Sequence, residues 1–432
     1  MTGVSTSDFV AEINRIMGLP KPNDRLAAAL SYQSHLSAGS SLAPYALFVF
    51  GQVYLRCGQP RLVREIVLDL LSQFPDRDDA ADYALRLSQE PLILHDMIDE
   101  RFVENLQAAA RRQVLRNPAH VAATAAVLVY LIKARHAAAA SRLTRRFLAH
   151  CPPDVLAGDV IAQRIALYDP GFGSKDPLWC APPAGGSVVW EAQAPAGSQD
   201  TVILFSGDDR YWRAFGPGIL KSLIIHAPDM PAHVHIVNPS PATVEEMRAI
   251  TQLGQRRLGF TYETLPATDQ ASGIAANQLK TYYACARFLA LPEILPRYGR
   301  PIFVLDMDIR LRRPLHRLLA QLRGADVAMV TDPGKSPWHC AVACMTWFAP
   351  TPQGQSYANY ATRYLRALFA RGSAYWTADQ VVLDIANARL AQEGGRLTEI
   401  SFVEARRHVA FAGQFIGEMS ITEKVAHLDS IA

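Results

Sequence analysis

A chain of 432 residues is long enough for two cores, and with 50% apolar and 19% charged residues it has the balance of a globular protein rather than a disordered one. The formal net charge of +3 is too small an excess to argue for nucleic acid, though it suits an anionic small substrate. Cys57, Cys151, Cys180, Cys285, Cys340 and Cys344 are scattered through the chain with no secretory pattern ahead of them, so buried thiols are expected rather than disulfides.

The N-terminal residues show neither a basic stretch nor an apolar one. The most apolar run, residues 121–132, is well short of the ~20 residues that a spanning helix needs. A cytoplasmic protein is therefore expected; the mild basic excess also suits a peripheral place on the inner face of the membrane.

From about residue 8 to 168, apolar side chains recur at i, i+3 and i+4 within long Ala/Leu/Arg stretches, which predicts helices throughout. Gly51 and Tyr54 fall on one predicted helix, Gly58 in the turn that follows, and Pro75 at the end of the next helix. Pro118 and Pro152 close further helical stretches at comparable but unequal spacing, while Val63 stands where a small residue would be expected. This half resembles a tetratricopeptide-like helical repeat, and an irregular helical bundle fits it equally well. A repeat would offer its surface to a protein partner. Residues 1–178 are thus expected to be all-α, and 179–200, rich in Gly and Pro, a linker or a strand-and-loop entry.

Beyond residue 200 the pattern changes. Short β-rich runs at 202–205, 234–237, 302–305 and 327–330 alternate with helical stretches, which predicts an α/β domain over 201–432 with a mainly parallel sheet flanked by helices. Its first strand runs into Ser206, Gly207, Asp208, Asp209 and Tyr211. A carboxylate at such a strand tip can hold ribose hydroxyls or base N–H groups, and a tyrosine can stack on a base. The helix predicted from residue 279 carries Tyr283 and Arg287 four apart on one face, where the guanidinium could grip a diphosphate.

The most informative segment is Pro301-Ile-Phe-Val-Leu-Asp306-Met307-Asp308. An apolar run ending in Asp-x-Asp sets two carboxylates at the tip of a buried strand, and residues two apart on extended backbone point the same way. Both can face one Mn2+ or Mg2+ ion, whose remaining positions phosphate oxygens would fill. His339, Cys340 and Cys344 lack a second ligand pair, and packing is the favoured reading there. Last comes Trp376-Thr-Ala-Asp379-Gln380 ahead of an apolar helical run. The pair is either a helix cap or a carboxylate and an amide set against a sugar, where charge develops in the transition state.

In their order, these elements resemble the nucleotide-diphospho-sugar transferases of the GT-A fold, most closely glycosyltransferase family 8. The loop from Ser206 to Tyr211 is similar to the family's opening Asp-Asp loop, the helix with Tyr283 and Arg287 to its Tyr-x-Arg helix, and Leu305 to Asp308 to its Leu-Asp-x-Asp metal motif. Asp379-Gln380 is similar to its Asp-Gln pair near the anomeric carbon, and residues 343–354 to its acceptor-side wall. The resemblance spans about residues 200–385. It implies a metal-dependent, hexosyltransferase-like enzyme that takes a UDP-sugar, with retention of configuration as in the family, and a glycan, lipid or protein acceptor. Ser206, Asp208, Asp209, Tyr211, Tyr283, Arg287, Asp306, Met307 and Asp308 would bind the donor, and Asp379 and Gln380 would be catalytic. The family's C-terminal His-x-x-Gly-x-x-Lys-Pro-Trp motif is absent. His427, with Lys424 nearby, and His408 remain as candidates for its third metal ligand and its lysine.

Two other classes stay open. A nucleotidyl- or phosphotransferase would need a Gly-rich phosphate loop, and the sequence has none. A catalytically inactive transferase fold, serving as an adaptor through its helical half, would fit the missing C-terminal motif.

Overall fold

The computed structural model describes residues 6–37, 43–75, 77–88, 100–169, 187–194, 201–252, 258–265, 276–332, 337–411 and 420–431. Cys180 and most of the segment read as a linker lie outside the described residues. The chain divides into two compact units, one over residues 1–169 and the second over the remainder.

The first unit is all helical: α1 Thr6–Met17, α2 Pro22–Ser37, α3 Pro44–Arg56, α4 Pro60–Gln73, α5 Asp78–Ser88, α6 Glu100–Arg116, α7 Val121–Lys133, α8 Ala137–His150, α9 Pro153–Gly158 and α10 Val160–Leu167. Proline opens α3, α4 and α9, where its missing N–H would have had no helical partner anyway. Gly58, at φ +67°, turns the chain between α3 and α4 in the left-handed region. Gly51 lets α3 meet α5: a Cβ there would stand 2.6 Å from Cδ1 of Leu87. Phe50, Tyr54, Val63, Leu70 and Leu85 fill the core that these helices share. The apolar run 121–132 is α7, a core helix buried along most of its length. Among the described residues, no helix is long and apolar enough to cross a membrane.

Among the described residues the second unit has the strands β1 Val189–Ala192, β2 Val202–Asp208, β3 Ala232–Val237, β4 Leu258–Glu263, β5 Ile302–Asp306, β6 Ile309–Leu311, β7 Val327–Thr331, β8 Ala341–Phe348, β9 Leu397–Ser401 and β10 Val409–Phe411. Its helices are α11 Asp209–His226, α12 Pro241–Gln252, α13 Leu279–Leu289, α14 Leu291–Tyr298, α15 His316–Leu322, α16 Pro337–Cys340, α17 Pro352–Ala370, α18 Ala378–Gln392, α19 Phe402–His408 and α20 Ile421–Ile431. Eight strands form one sheet in the order β1-β4-β3-β2-β5-β8-β7-β9, and β6 pairs with β10 in a separate ribbon. Within the large sheet β2/β3, β3/β4, β2/β5 and β7/β9 are parallel, while β1/β4, β5/β8 and β7/β8 are antiparallel. This is the α/β class expected: a mainly parallel sheet flanked by helices, preceded in sequence by an all-α unit.

The four predicted strands are β2, β3, β5 and β7. β1 falls inside the predicted linker, where it pairs with β4 as the edge of the sheet. β8 is buried at all eight positions, so its sequence carries no alternation to announce a strand.

The order of the parallel strands fixes where a ligand can sit. From β2 the chain steps outward to β3 and β4, then returns to lay β5 on the other side of β2. The direction of winding reverses between β2 and β5, which opens a crevice at their carboxyl ends.

Candidate active site

Both flanks of that crevice carry acidic residues. Ser206 of β2 lies in register with Asp306 of β5, so the opening loop and the Asp-x-Asp pair are neighbours across one ladder. β5 is buried from Ile302 to Leu305 and emerges at Asp306, whose side chain is 24% exposed. Met307 turns back into the core beside Gly207, where a Cβ would stand 3.0 Å from its sulfur. Its main chain alone is therefore left for a donor.

Arg287, on α13, organises the cluster. Its Nη1 stands 2.8 Å from Oδ1 of Asp306, and its Nη2 donates to Oδ2 of Asp379 at 3.0 Å. The same two nitrogens donate to the carbonyls of Ala284 at 2.6 Å and Ala343 at 3.3 Å. The fork expected from sequence to grip a diphosphate here meets protein oxygens. Arg287 is buried and holds the carboxylates of Asp306 and Asp379. Tyr283, one turn earlier, serves another strand: its hydroxyl oxygen accepts from Nδ2 of Asn238 at 3.4 Å, just past the end of β3.

Asp379 enters from α18. The cap residue of that helix is Thr377, a β-branched residue at φ +77° that makes no side-chain cap bond. Such a conformation costs about 1–3 kcal/mol and persists where the surroundings impose it. Asp379 accepts the N–H of Gln380 at Oδ1 and pairs with Arg287 at Oδ2, so capping does not exhaust its role. Burial raises its pKa, and Arg287 opposes that rise. Gln380 itself is half-buried.

Asp308 has a different partner. Nζ of Lys424, on α20, donates to its Oδ2 at 2.6 Å and to the hydroxyl of Tyr211 at 3.3 Å. His427, expected as a third metal ligand, is not gathered with Asp306 and Asp308: among the described residues no three His, Cys, Asp or Glu side chains come together as a metal would need. The residue of that helix that reaches the pair lies one turn earlier. His408 is committed elsewhere, with Nε2 3.2 Å from Oε1 of Glu404. Cys344 is buried and Cys340 half-buried.

The opening loop is more structural than its sequence suggests. Asp208 caps α11 by accepting the N–H of Tyr211 at 2.8 Å. Asp209 accepts the N–H of Ser240 at 2.9 Å and pairs with Arg213 at 3.0 Å, so it ties the β3 exit to α11. Tyr211 packs on Phe215 with ring centroids 5.1 Å apart, beneath the Lys424 ammonium. The hydroxyl of Ser206 is buried with no hydrogen-bond partner among the described residues.

Three carboxylates, Asp306, Asp308 and Asp379, therefore face two cations, Arg287 and Lys424. Desolvation pushes the Asp306 pKa up to about 6, with Asp308 and Asp379 adding repulsion against the pull of Arg287. One negative charge is left over in a partly desolvated crevice. Asp306 and Asp308 are hard oxygen donors of the kind that Mn2+ or Mg2+ takes, one or two protein carboxylates commonly being completed by phosphate and water.

A buried polar chain beside the crevice was missed from sequence. Tyr282 donates to Oε2 of Glu263 at 3.0 Å, and Oε1 of Glu263 stands 3.5 Å from Nε2 of His235. Oγ1 of Thr261 bridges Nδ1 of His235 at 3.0 Å and Nε2 of His233 at 2.8 Å; Nδ1 of His233 meets the hydroxyl of Tyr298 at 2.8 Å. Burial, helped by His235 and Arg297, drives the His233 pKa down to about 3. The signal was there: His-Val-His on β3 has period two, which puts both rings on one face.

No protein-family model matches the chain, and no curated protein does. Solved structures do. The apo WbbM bifunctional glycosyltransferase matches at TM-score 0.33 and 18% identity, over 48% of this chain and 40% of its own. The galactosyltransferase LgtC, in complex with donor and acceptor sugar analogues, matches at 0.33 and 18%, over 46% of this chain and 72% of its own. Mouse xyloside xylosyltransferase 1, apo, matches at 0.30 and 15%, over 47% and 85%. The chain thus spans well under half the length of WbbM.

Proposed function

We propose that the second unit is a glycosyltransferase of GT-A type, which moves a sugar from a nucleoside diphosphate, UDP for preference, to an acceptor hydroxyl. The observation that carries this reading is the Asp306/Asp308 pair at the switch point, one negative charge in excess after Arg287 and Lys424 are counted. In the transfer, the acceptor oxygen bonds to the anomeric carbon and gives up its proton to an oxygen of the departing diphosphate. The anomeric C–O bond to the diphosphate breaks, and the diphosphate leaves with the electron pair.

Asp306 and Asp308 would hold Mn2+ or Mg2+, which when bound neutralises charge on the departing diphosphate. Lys424 adds a positive charge on the same side, and Tyr211 and Ser206 would contact the nucleoside. Asp379, held by Arg287, would face the transferred sugar with Gln380, where a fixed carboxylate stabilises positive charge developing at the anomeric carbon. The helical unit would recruit a protein partner or the acceptor. The Gly51 contact and the Gly58 turn support a tetratricopeptide-like reading of it.

Thermal-shift measurements with UDP-glucose, UDP-galactose and UDP, with and without Mn2+, test the reading. A ligand that binds only the native state raises the melting temperature. The expected result is a shift with nucleotide and Mn2+ together that Asp306→Asn and Asp308→Asn both diminish. No shift with any nucleotide would leave the chain an adaptor on a transferase fold.

A further inference from the structure

Trp376 stands out in the second unit by its exposure. Of the tryptophans among the described residues, Trp212, Trp338 and Trp347 are buried and Trp190 is half-buried, while Trp376 is 57% exposed. Leaving an indole in water forfeits one of the largest burial gains a side chain offers. The ring is also held in place. Ala378 N–H donates to the Tyr375 carbonyl at 3.0 Å, closing a turn whose last inner residue, Thr377, sits at φ +77°. Nζ of Lys280, from the start of α13, stands over the indole at 4.6 Å from its centroid and covers one face.

Its place is equally particular. Trp376 is three residues ahead of Asp379, on the far side of the strained Thr377, and Asp379 is locked to Asp306 through Arg287. Lys280 lies seven residues before that same Arg287 on the helix that organises the cluster. Both members of the exposed pair are thus anchored to the elements that carry Arg287 and Asp379.

The geometry points to Trp376 as the stacking platform for a saccharide acceptor, which would lie on the face opposite the Lys280 ammonium. This rests on the transferase reading and narrows its acceptor to a carbohydrate. The chemistry favours a sugar over a lipid chain or an apolar peptide. A pyranose offers one patch of C–H groups to an electron-rich ring and surrounds it with hydroxyls. The exposed residues nearest Trp376 and Lys280 in sequence suit that division: Asn277, Arg371 and Gly372 are polar or small.

The test is direct binding to the full chain, with lactose, maltose, cellobiose and N,N′-diacetylchitobiose as probes. Saturation-transfer NMR reads which protons touch the protein, and calorimetry reads affinity. UDP with Mn2+ is titrated separately. At least one disaccharide is expected to bind with its C–H protons most strongly saturated. Trp376→Ala should weaken it about tenfold and Trp376→Phe by less than about threefold, since phenylalanine keeps a π face. UDP affinity should be the same in both variants and in the wild type, which also reports that they are folded.

Disaccharide binding that survives Trp376→Ala unchanged overturns the platform. So does the failure of every disaccharide to bind a chain that binds UDP, or capture of octanol or an apolar peptide at Trp376 in place of sugar; the donor reading survives all three. Trp376-dependent saccharide binding in a chain that binds no nucleotide keeps the platform and ends the transferase reading.

Discussion

The Lys424 ammonium stands 2.6 Å from Oδ2 of Asp308, a contact between residues 116 positions apart that pins the C-terminal helix to the tip of the Asp-x-Asp strand. Burial disfavours the charge on Lys424, but Asp308 and Tyr211 more than compensate, and its pKa lies above the usual lysine value. The two side chains remain 20% and 17% exposed, so the pair itself contributes only about 1 kcal/mol. Its larger effect is on what else Asp308 can bind.

Lys424 and a divalent cation would compete for Asp308. Lys424→Met should therefore bind Mn2+ several-fold more tightly than the wild type in calorimetry without nucleotide, while losing a little thermal stability. Equal Mn2+ affinity in the two proteins would mean that the cation does not use Asp308.

Arg287→Met should be among the most destabilising single changes in the second unit. It strands Asp306 and Asp379 as like charges in a desolvated crevice, a loss of about 3–5 kcal/mol in urea unfolding. Adding Asp379→Asn to that variant should recover part of the loss, because it removes one of the stranded charges. Arg287→Lys should rescue poorly, since a point charge cannot span two carboxylates as the guanidinium does.

Asp379→Asn alone separates a chemical role from a packing one. A carboxylate that acts as charge develops predicts a kcat at least about tenfold lower with donor KM nearly unchanged. A lower melting temperature with normal turnover in the folded fraction would return Asp379 to a structural role.

His233 sets a pH dependence of stability whose sign can be worked out. Its folded pKa, about 3, lies below the ordinary value of 6.5. Between those values the unfolded chain takes up a proton that the folded chain refuses. Stability from this residue is complete above about pH 6.5 and is lost as pH falls, at up to about 1.4 kcal/mol per pH unit. Urea midpoints at pH 7, 6 and 5 should fall less steeply for His233→Asn than for the wild type; parallel slopes would contradict the assignment.

Gly259→Ala tests the same polar chain sterically. A Cβ there would stand 2.3 Å from the Tyr298 hydroxyl, 2.6 Å from Nδ1 of His233 and 2.7 Å from the Ala194 nitrogen. Forced apart, the groups lose hydrogen bonds in a buried place, and unfolding should cost about 1–3 kcal/mol less. The Asp306 cluster lies elsewhere on the sheet, so Mn2+ binding in the folded variant should be unaltered.

The sequence by itself determined the elements whose signal is local. The 3.6-residue period announced the helical half, and four apolar runs announced β2, β3, β5 and β7. The break after Leu305 put Asp306 and Asp308 at a strand tip. These follow from backbone geometry and side-chain alternation within a few residues. Only the tertiary structure decided which charges meet. Arg287, Asp306 and Asp379 form one cluster because β2 and β5 wind in opposite senses and α18 comes down beside them. No spacing in the chain encodes a contact across 92 residues, as from Arg287 to Asp379. Residue type alone favoured His427 on α20, whereas the turn of that helix that faces Asp308 carries Lys424. The same holds for Asp208 and Asp209, whose carboxylates turned inward because the nearest unsatisfied donors were the N–H groups of Tyr211 and Ser240. A carboxylate goes to the nearest donor that folding leaves it, and that donor is known only once the chain has closed around it.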